Sequence, residues 1–235
     1  GAGGWTASTV LHAAADGKDV RRTVVFGDAL EWLEAQEELP GSVITSLPDV
    51  TELSYLRMPL DEYCEWFVAV ARTILRKAPA DAVVVFYQTD FRRNGGWIDK
   101  SAMCFTAAQQ EGAKLLFHKI VCTAPPDSFI RDKPKPRYSH LVAYSRELQD
   151  DMRENTADVL SDRGHMTWER AMGLAACELA CQFIMRQAPP AHKTIVDPFC
   201  GLGTTLAVAN MLGMDSLGVE RNKHRCRTAR NLAPA

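Results

Sequence analysis

Short β-branched runs alternate with stretches of helical periodicity along most of the chain. Thr23–Phe26, Ser42–Thr45, Ala82–Tyr87, Lys114–Cys122, Tyr138–Ser145, Thr194–Val196 and Leu217–Val219 read as strands. Between them Ala29–Glu37, Leu60–Lys77, Asp99–Glu111, Thr167–Gln187, Leu206–Leu212 and Asn222–Leu232 read as helices. The strongest helical pattern is Leu60–Lys77, where Tyr63, Phe67, Val70, Ile74 and Leu75 fall on one face and Pro79 stops the run. Ala82–Tyr87 is apolar throughout, as expected of a central strand covered on both faces. Strands alternating with helices predict an α/β sheet. The loop TAPPDSFIRDKPKPR between two of the strands holds four prolines, which forbid regular structure. Gln149–Asp162 is charged and reads as a solvated, mobile connection. Residues 1–20 read as an N-terminal extension open to disorder, and 21–235 as one domain.

Composition narrows the class. The chain has 235 residues, 46% hydrophobic and 24% charged, which excludes a disordered tail, a collagen-like fibre and a disulfide miniprotein. Its net charge of −2 supplies no global basic field, so a nucleic-acid role needs a local basic patch. Seven cysteines without a CxxC pair, two of them (Cys177 and Cys181) in an apolar helical run, point to reduced thiols and an intracellular setting. Compartment is not distinguished. No histidine–cysteine cluster has zinc spacing, so no metal is expected. No apolar run reaches the roughly 20 residues of a membrane span.

The sharpest local feature is Asp197-Pro198-Phe199-Cys200-Gly201-Leu202-Gly203-Thr204-Thr205, set between a strand and a helix. Glycines there let a ligand approach the backbone, and such a turn at a sheet's carboxyl edge is the usual nucleotide site of a doubly wound fold. The turn lacks the GK[ST] ending of a phosphate loop and the third glycine of a dinucleotide fingerprint. Glu220 follows the next strand, where a carboxylate can accept two hydrogen bonds from ribose hydroxyls.

DPFCGLGTT followed by LGVERNKHRC resembles the cofactor motif of S-adenosylmethionine-dependent amino methyltransferases of the DNA-modifying (N4-cytosine/N6-adenine) type. His165-Met166-Thr167-Trp168-Glu169-Arg170 resembles that family's HPTQKP-type segment, and Gly27-Asp28-Ala29 its adenine-contacting segment. Thr45-Ser46-Leu47-Pro48-Asp49 stands where the family places its catalytic (S/D)PPY tetrapeptide. The catalytic segment precedes the main cofactor motif, which is the circularly permuted, beta-type order. The resemblance implies a Rossmann-like methyltransferase fold with a seven-stranded, mostly parallel sheet and helices on both faces. It implies S-adenosyl-L-methionine held by Asp28, Ala29, His165, Thr167, Asp197, Phe199, Gly201, Gly203, Thr204, Thr205 and Glu220. It also implies methyl transfer to a base amino group in RNA or DNA. Two positions depart from the pattern: Leu47 replaces a proline, and Asp49 replaces the aromatic residue that stacks on the target base.

Methyl transfer from a sulfonium is an in-line displacement, so the protein mainly positions the nucleophile. A hydroxyl at Ser46 and the Leu47 carbonyl can accept the N–H bonds of an exocyclic amine, with Pro48 stiffening the turn. Asp49 can accept an N–H, take a proton or recognise a base edge. It can equally be a helix-capping residue in a strand-ending turn. A target inside a duplex must be flipped out. Tyr55, Tyr87, Phe91 and Trp97 are stacking candidates, with Trp97 the most exposed in expectation. Gln88 and Asp90 end the apolar strand and are candidate substrate contacts. Basic residues gather at Arg92-Arg93 and at Arg131, Lys133, Lys135 and Arg137, where they can follow a phosphate backbone or form a solvated loop. A partner subunit or homodimer is left open. The rival readings are a methyltransferase of a small molecule or protein, and a catalytically silent methyltransferase-like subunit that binds nucleic acid or a partner.

Overall fold

A computed structural model describes residues 5–53, 58–128, 135–149 and 156–233. The chain opens with an antiparallel hairpin of β1 (Thr6–Ala13) and β2 (Asp19–Phe26). Helix α1 (Ala29–Ala35) follows, started by Asp28, whose Oδ1 accepts from the backbone N–H groups of Leu30 and Glu31. Then come β3 (Ser42–Thr45), α2 (Leu60–Lys77), β4 (Val84–Gln88), the small hairpin β5 (Phe91–Arg93) and β6 (Gly96–Ile98), and α3 (Lys100–Gln110). β7 (Lys114–Cys122), β8 (Tyr138–Ser145) and the short β9 (Val159–Leu160) lead to α4 (Leu174–Gln187). The chain closes with β10 (Ile195–Asp197), α5 (Thr204–Met211), β11 (Ser216–Glu220) and α6 (Lys223–Asn231).

Among the described residues nine strands join one sheet in the order β1-β2-β11-β10-β3-β4-β8-β7-β9. From β2 to β4 every pair is parallel, so Phe26, Glu220, Asp197, Thr45 and Gln88 all end at one carboxyl edge. Strand order reverses between β10 and β3, because β10 passes through α5 to β11 on one side and β3 through α2 to β4 on the other. Ligands of doubly wound sheets bind in the crevice outside such a switch point.

Both faces are covered. Trp32 and Leu33 of α1, Tyr63, Phe67, Ala71 and Ile74 of α2, and Cys104, Ala107 and Ala108 of α3 pack on one face with Val43, Val84 and Phe86. Ala176, Cys177, Ala180, Phe183 and Ile184 of α4 and Val208 and Ala209 of α5 pack on the other with Ile44, Val85 and Ile195. Asp61 and Glu62 in the first turn of α2 and Arg76 and Lys77 in its last complement the helix dipole. Buried Arg22 ties the terminal helices to β2. It donates to Asn210 Oδ1 at 2.6 Å and to the carbonyls of Ala229 and Leu232 at 3.0 and 2.8 Å, and burial lowers its pKa to about 10.

The seven strands expected from the β-branched runs are all present, and two more flank them. Residues 6–13, expected in an extension outside the domain, form β1 because eight consecutive positions pair with Asp19–Phe26. Val159–Leu160 adds the ninth strand beside β7, within a stretch read as a mobile connection; residues 150–155 of that stretch lie outside the described residues. The helix expected over Thr167–Gln187 begins only at Leu174. Gly173 precedes it with φ +95°, and a Cβ there would run into the Arg163 carbonyl. The hairpin over Phe91–Ile98, turned at Asn94 (φ 52°) and Gly95 (φ 79°), has no counterpart in the sequence reading.

Candidate active site

Two cavities open at the carboxyl edge and share Ser46, Glu52 and Arg170. The smaller, about 280 Å³, is lined by Asp28, Ala29, Phe199, Gly201, Val219 and Glu220, with Trp66, Trp168 and Arg225 around them. The larger, about 520 Å³, is lined by Ser46, Leu47, Asp49, Gln88, Lys100 and Lys135, with Arg163 and Arg170. Arg170 Nη1 and Glu52 Oε1 form an ion pair at 3.0 Å on the wall common to both.

The glycine turn is built from the switch point outward. Asp197 ends β10 and is buried; its Oδ1 accepts from the Thr45 hydroxyl at 2.7 Å and from the Phe199 N–H at 3.1 Å. Burial pushes its pKa up to about 6 against those donors. Gly201 takes φ +55° and Gly203 φ +84°, and the second caps α5. The Trp168 ring lies 2.9 Å from where a Cβ on Gly201 would be, and Arg225 lies over that ring at 5.3 Å. Glu220 Oε1 accepts from the Asn222 N–H at 2.7 Å; burial raises its pKa, opposed by that bond and by Arg225 and Arg221.

The segment after β3 is fixed from four sides. Leu47 is buried in the core with α2, which explains an apolar residue where proline was expected. The Tyr63 hydroxyl of α2 donates to the Pro48 carbonyl at 3.0 Å. Glu52 Oε2 accepts from the Asp49 N–H at 2.9 Å. The Asp49 carboxylate is ion-paired with both Lys100 and Lys135. Burial alone would raise its pKa, but the two lysines together outweigh that and lower it. Lys100 is 1% exposed, with the Phe67 and Phe91 rings near its ammonium and its own backbone N–H donating to Asp90 Oδ1. Asp90 Oδ2 meets His140 Nε2 at 2.9 Å, and His140 Nδ1 meets His118 Nε2 at 2.9 Å.

The expected cofactor residues divide. Asp28, Ala29, Phe199, Gly201 and Glu220 line the smaller cavity. Asp197, Gly203, Thr204 and Thr205 stand behind it, Thr204 bonded to Thr167 at 2.5 Å and Gly203 against the backbone of Ala229. His165 and Thr167 do not line it. Of the expected substrate residues, Gln88 and Lys135 line the larger cavity. Asp90 does not line it; its Oδ1 accepts from the Lys100 backbone N–H at 2.9 Å. Arg92, Arg93 and Trp97 sit on the β5–β6 hairpin, with Trp97 49% exposed and the Arg92 guanidinium 4.7 Å from its ring centre. Arg137 flanks the base of β8, its carbonyl accepting from the Thr123 N–H. Tyr87 and Phe91 are both buried, and Tyr87 also lines the larger cavity. Tyr55, Arg131 and Lys133 lie outside the described residues. The sequence reading missed Lys100, and gave Trp168 and Arg225 no role of their own although both stand inside the motifs it quotes. Lys100 carried a signal: a cation in the first turn of a helix opposes the dipole and calls for a reason.

Positive-φ glycines at a strand–helix turn, a carboxylate at the end of the next strand and a cavity bounded by both fit an adenosine-bearing cofactor. Residues 178–231, which contain this turn, match the model of the N6_N4_Mtase family, DNA methylase. No curated protein matches the chain. Three solved structures share the fold. PvuII DNA methyltransferase (cytosine-N4-specific) superposes with a TM-score of 0.67 at 16% identity, over 88% of this chain and 84% of that one. A DNA modification methylase of Thermus thermophilus complexed with S-adenosyl-L-methionine gives 0.61 at 19% identity, over 87% and 89%. The M1.HpyAVI–SAM complex gives 0.57 at 16% identity, over 88% and 97%. The segment around the glycine turn is thus similar to the DNA methylase family, and the fold as a whole is that of S-adenosylmethionine-dependent methyltransferases. Within that class the chain resembles the amino methyltransferases of the DNA-modifying type, in permuted motif order. No helix among the described residues is long and apolar enough to cross a membrane.

Proposed function

We propose that this chain transfers the methyl group of S-adenosyl-L-methionine to the exocyclic amino group of a base in DNA. The observation that carries this reading is the place of Ser46, which lines both cavities and so stands between a bound cofactor and a bound acceptor. When bound, the cofactor supplies a methyl group made electrophilic by its sulfonium. Glu220 and Asp28 offer carboxylates to its cavity, and Phe199 an apolar ring. Ser46 Oγ and the Leu47 carbonyl accept N–H bonds of the amine, which turns its lone pair away from the base ring and along the line of displacement. Tyr63 and Glu52 hold that segment still.

Asp49 has a different part from the aromatic residue it replaces. Its carboxylate is committed to Lys100 and Lys135, and its lowered pKa makes it a poor proton acceptor. It anchors the end of the catalytic segment. Lys135, at the rim of the larger cavity, sets a cation at the active edge, which supports a polyanionic substrate. The exposed Arg92–Trp97 pair lies on the hairpin leaving the same sheet edge.

The test combines calorimetry of the cofactor with tritiated-methyl transfer to genomic DNA and to total RNA, followed by nucleoside mass spectrometry. Cofactor binding with a methylated cytosine or adenine in DNA is the expected result. Absence of cofactor binding removes the enzyme reading. Label in RNA alone moves the substrate class. Binding without transfer favours a silent subunit, the reading that the committed Asp49 carboxylate motivates.

A further inference from the structure

We propose that Gln88 reads the edge of the acceptor base, pairing with the ring nitrogen and amine that adenine and cytosine present side by side. This rests on the base-amino methyl transfer proposed above. Gln88 is the last residue of β4, at the carboxyl edge, on the strand next to the one that leads into Ser46. Its side chain is 1% exposed, yet neither Oε1 nor Nε2 has a hydrogen-bond partner among the described residues. Buried amides are nearly always bonded, and one left open at both ends costs stability that a purely structural position would not sustain.

The neighbours narrow what such an amide can meet. Gln88 lines the larger cavity with Ser46, Leu47, Asp49 and Lys100. The nearest charged groups are already matched, Asp49 by Lys100 and Lys135, Asp90 by the Lys100 N–H and His140, and Glu52 by Arg170, while Arg163 and Tyr87 line the same cavity. To these Gln88 adds a neutral pair, one donor and one acceptor side by side in the plane of the amide. Adenine and cytosine each offer the complement, a ring nitrogen acceptor beside an exocyclic N–H. Nε2 donates to the ring nitrogen. Oε1 shares the amine hydrogen on that side with the Ser46–Leu47 segment, a three-centre arrangement. The pair thus sets the amine beside Ser46 and in reach of the cofactor cavity.

Two variants of the full chain test this. Gln88→Leu keeps the volume and removes both polar ends; Gln88→Glu keeps the shape but sets a carboxylate oxygen against the ring nitrogen's lone pair. In the ligand-free protein Gln88→Leu is expected to melt at or above the wild-type temperature; a fall of several degrees means the amide has structural partners and overturns the proposal. With cofactor affinity held within twofold, kcat/KM for DNA should fall at least tenfold in Gln88→Leu and further in Gln88→Glu. Unchanged kcat/KM in Gln88→Leu overturns it while leaving methyl transfer itself intact. If the wild type transfers no methyl group to any nucleic acid, the function proposed above fails, and nucleoside binding decides for Gln88. Adenosine or cytidine at millimolar concentration should then raise the wild-type melting temperature but not that of Gln88→Leu. Equal shifts in both proteins, or no shift in the wild type, overturn the assignment.

Discussion

The Thr45 hydroxyl donates to the Asp197 carboxylate at 2.7 Å across the point where strand order reverses. One bond thus joins the strand that leads into Ser46 to the strand that leads into the glycine turn. The two residues are far apart in sequence, and Asp197 carries the cost of its burial as a pKa raised to about 6.

That cost sets a pH dependence. The folded pKa lies above the ordinary carboxylate value of 3.8, so between about pH 4 and 6 the folded chain binds more protons than the unfolded one. Stability should fall as pH rises through that window and level off above it. Asp197→Asn keeps an acceptor for Thr45 and removes the charge; it should flatten the window and gain roughly 2–3 kcal/mol at pH 7. Urea denaturation from pH 4 to 8 measures it. Thr45→Val, which removes a donor to the charged form, should move the window upward.

Asp49 has the opposite sign. Its lowered pKa adds stability that is present above the unfolded carboxylate value and lost as pH falls through the folded one. Lys100→Met leaves that carboxylate with Lys135 alone, and Asp49→Asn leaves a buried ammonium unpaired. Each should cost about 3 kcal/mol, and the double variant Asp49→Asn/Lys100→Met clearly less than the sum. A double-mutant cycle by chemical denaturation gives the coupling.

Gly201→Ala should weaken cofactor binding in addition to the stability lost by straining an alanine at φ +55°. The new methyl meets the Trp168 ring rather than backbone, so the ring and the Arg225 lying over it must shift at the mouth of the smaller cavity. We expect cofactor affinity to fall about tenfold or more, roughly 1.4 kcal/mol, by calorimetry. Gly203→Ala should instead act on stability, because its Cβ meets the Ala229 backbone 2.9 Å away and would push α6 outward.

Arg22→Met should destabilise the chain by about 3 kcal/mol with no direct effect at the site. It orphans Asn210 Oδ1 and the carbonyls of Ala229 and Leu232, which are buried or partly buried. Thermal unfolding with and without cofactor would show a lower melting temperature and an unchanged ligand-induced shift.

Much of the carboxyl edge was legible because parallel strands are apolar runs and the turns after them carry the chemistry. Thr23–Phe26, Ser42–Thr45 and Thr194–Val196 announce themselves by composition, and Gly27-Asp28, Ser46 and Gly201 follow directly. The outer strands were not legible: Thr6–Ala13 alternates exposed and half-buried positions at a sheet edge, and Val159–Leu160 is two residues long. Lys100 could not be paired with Asp49, nor Trp168 placed over Gly201, because both contacts join elements remote in sequence. His165 and Thr167 do not line the smaller cavity, whereas Trp168 and Arg170 of the same segment do.

The insertion of β10 and β11 between β2 and β3 also governs how the molecule is made. A ribosome delivers β2, β3 and β4 early, but β2 and β3 meet only through strands that emerge long after Thr45, near Asp197 and Glu220. Until then two apolar strand edges stand open, and loop closure over that span must be achieved in one late step. Nascent chains stopped before β10 should therefore be sticky and protease-sensitive. The smaller cavity, which needs Phe199, Gly201 and Glu220, closes only when the final strands enter the gap beside Ser46.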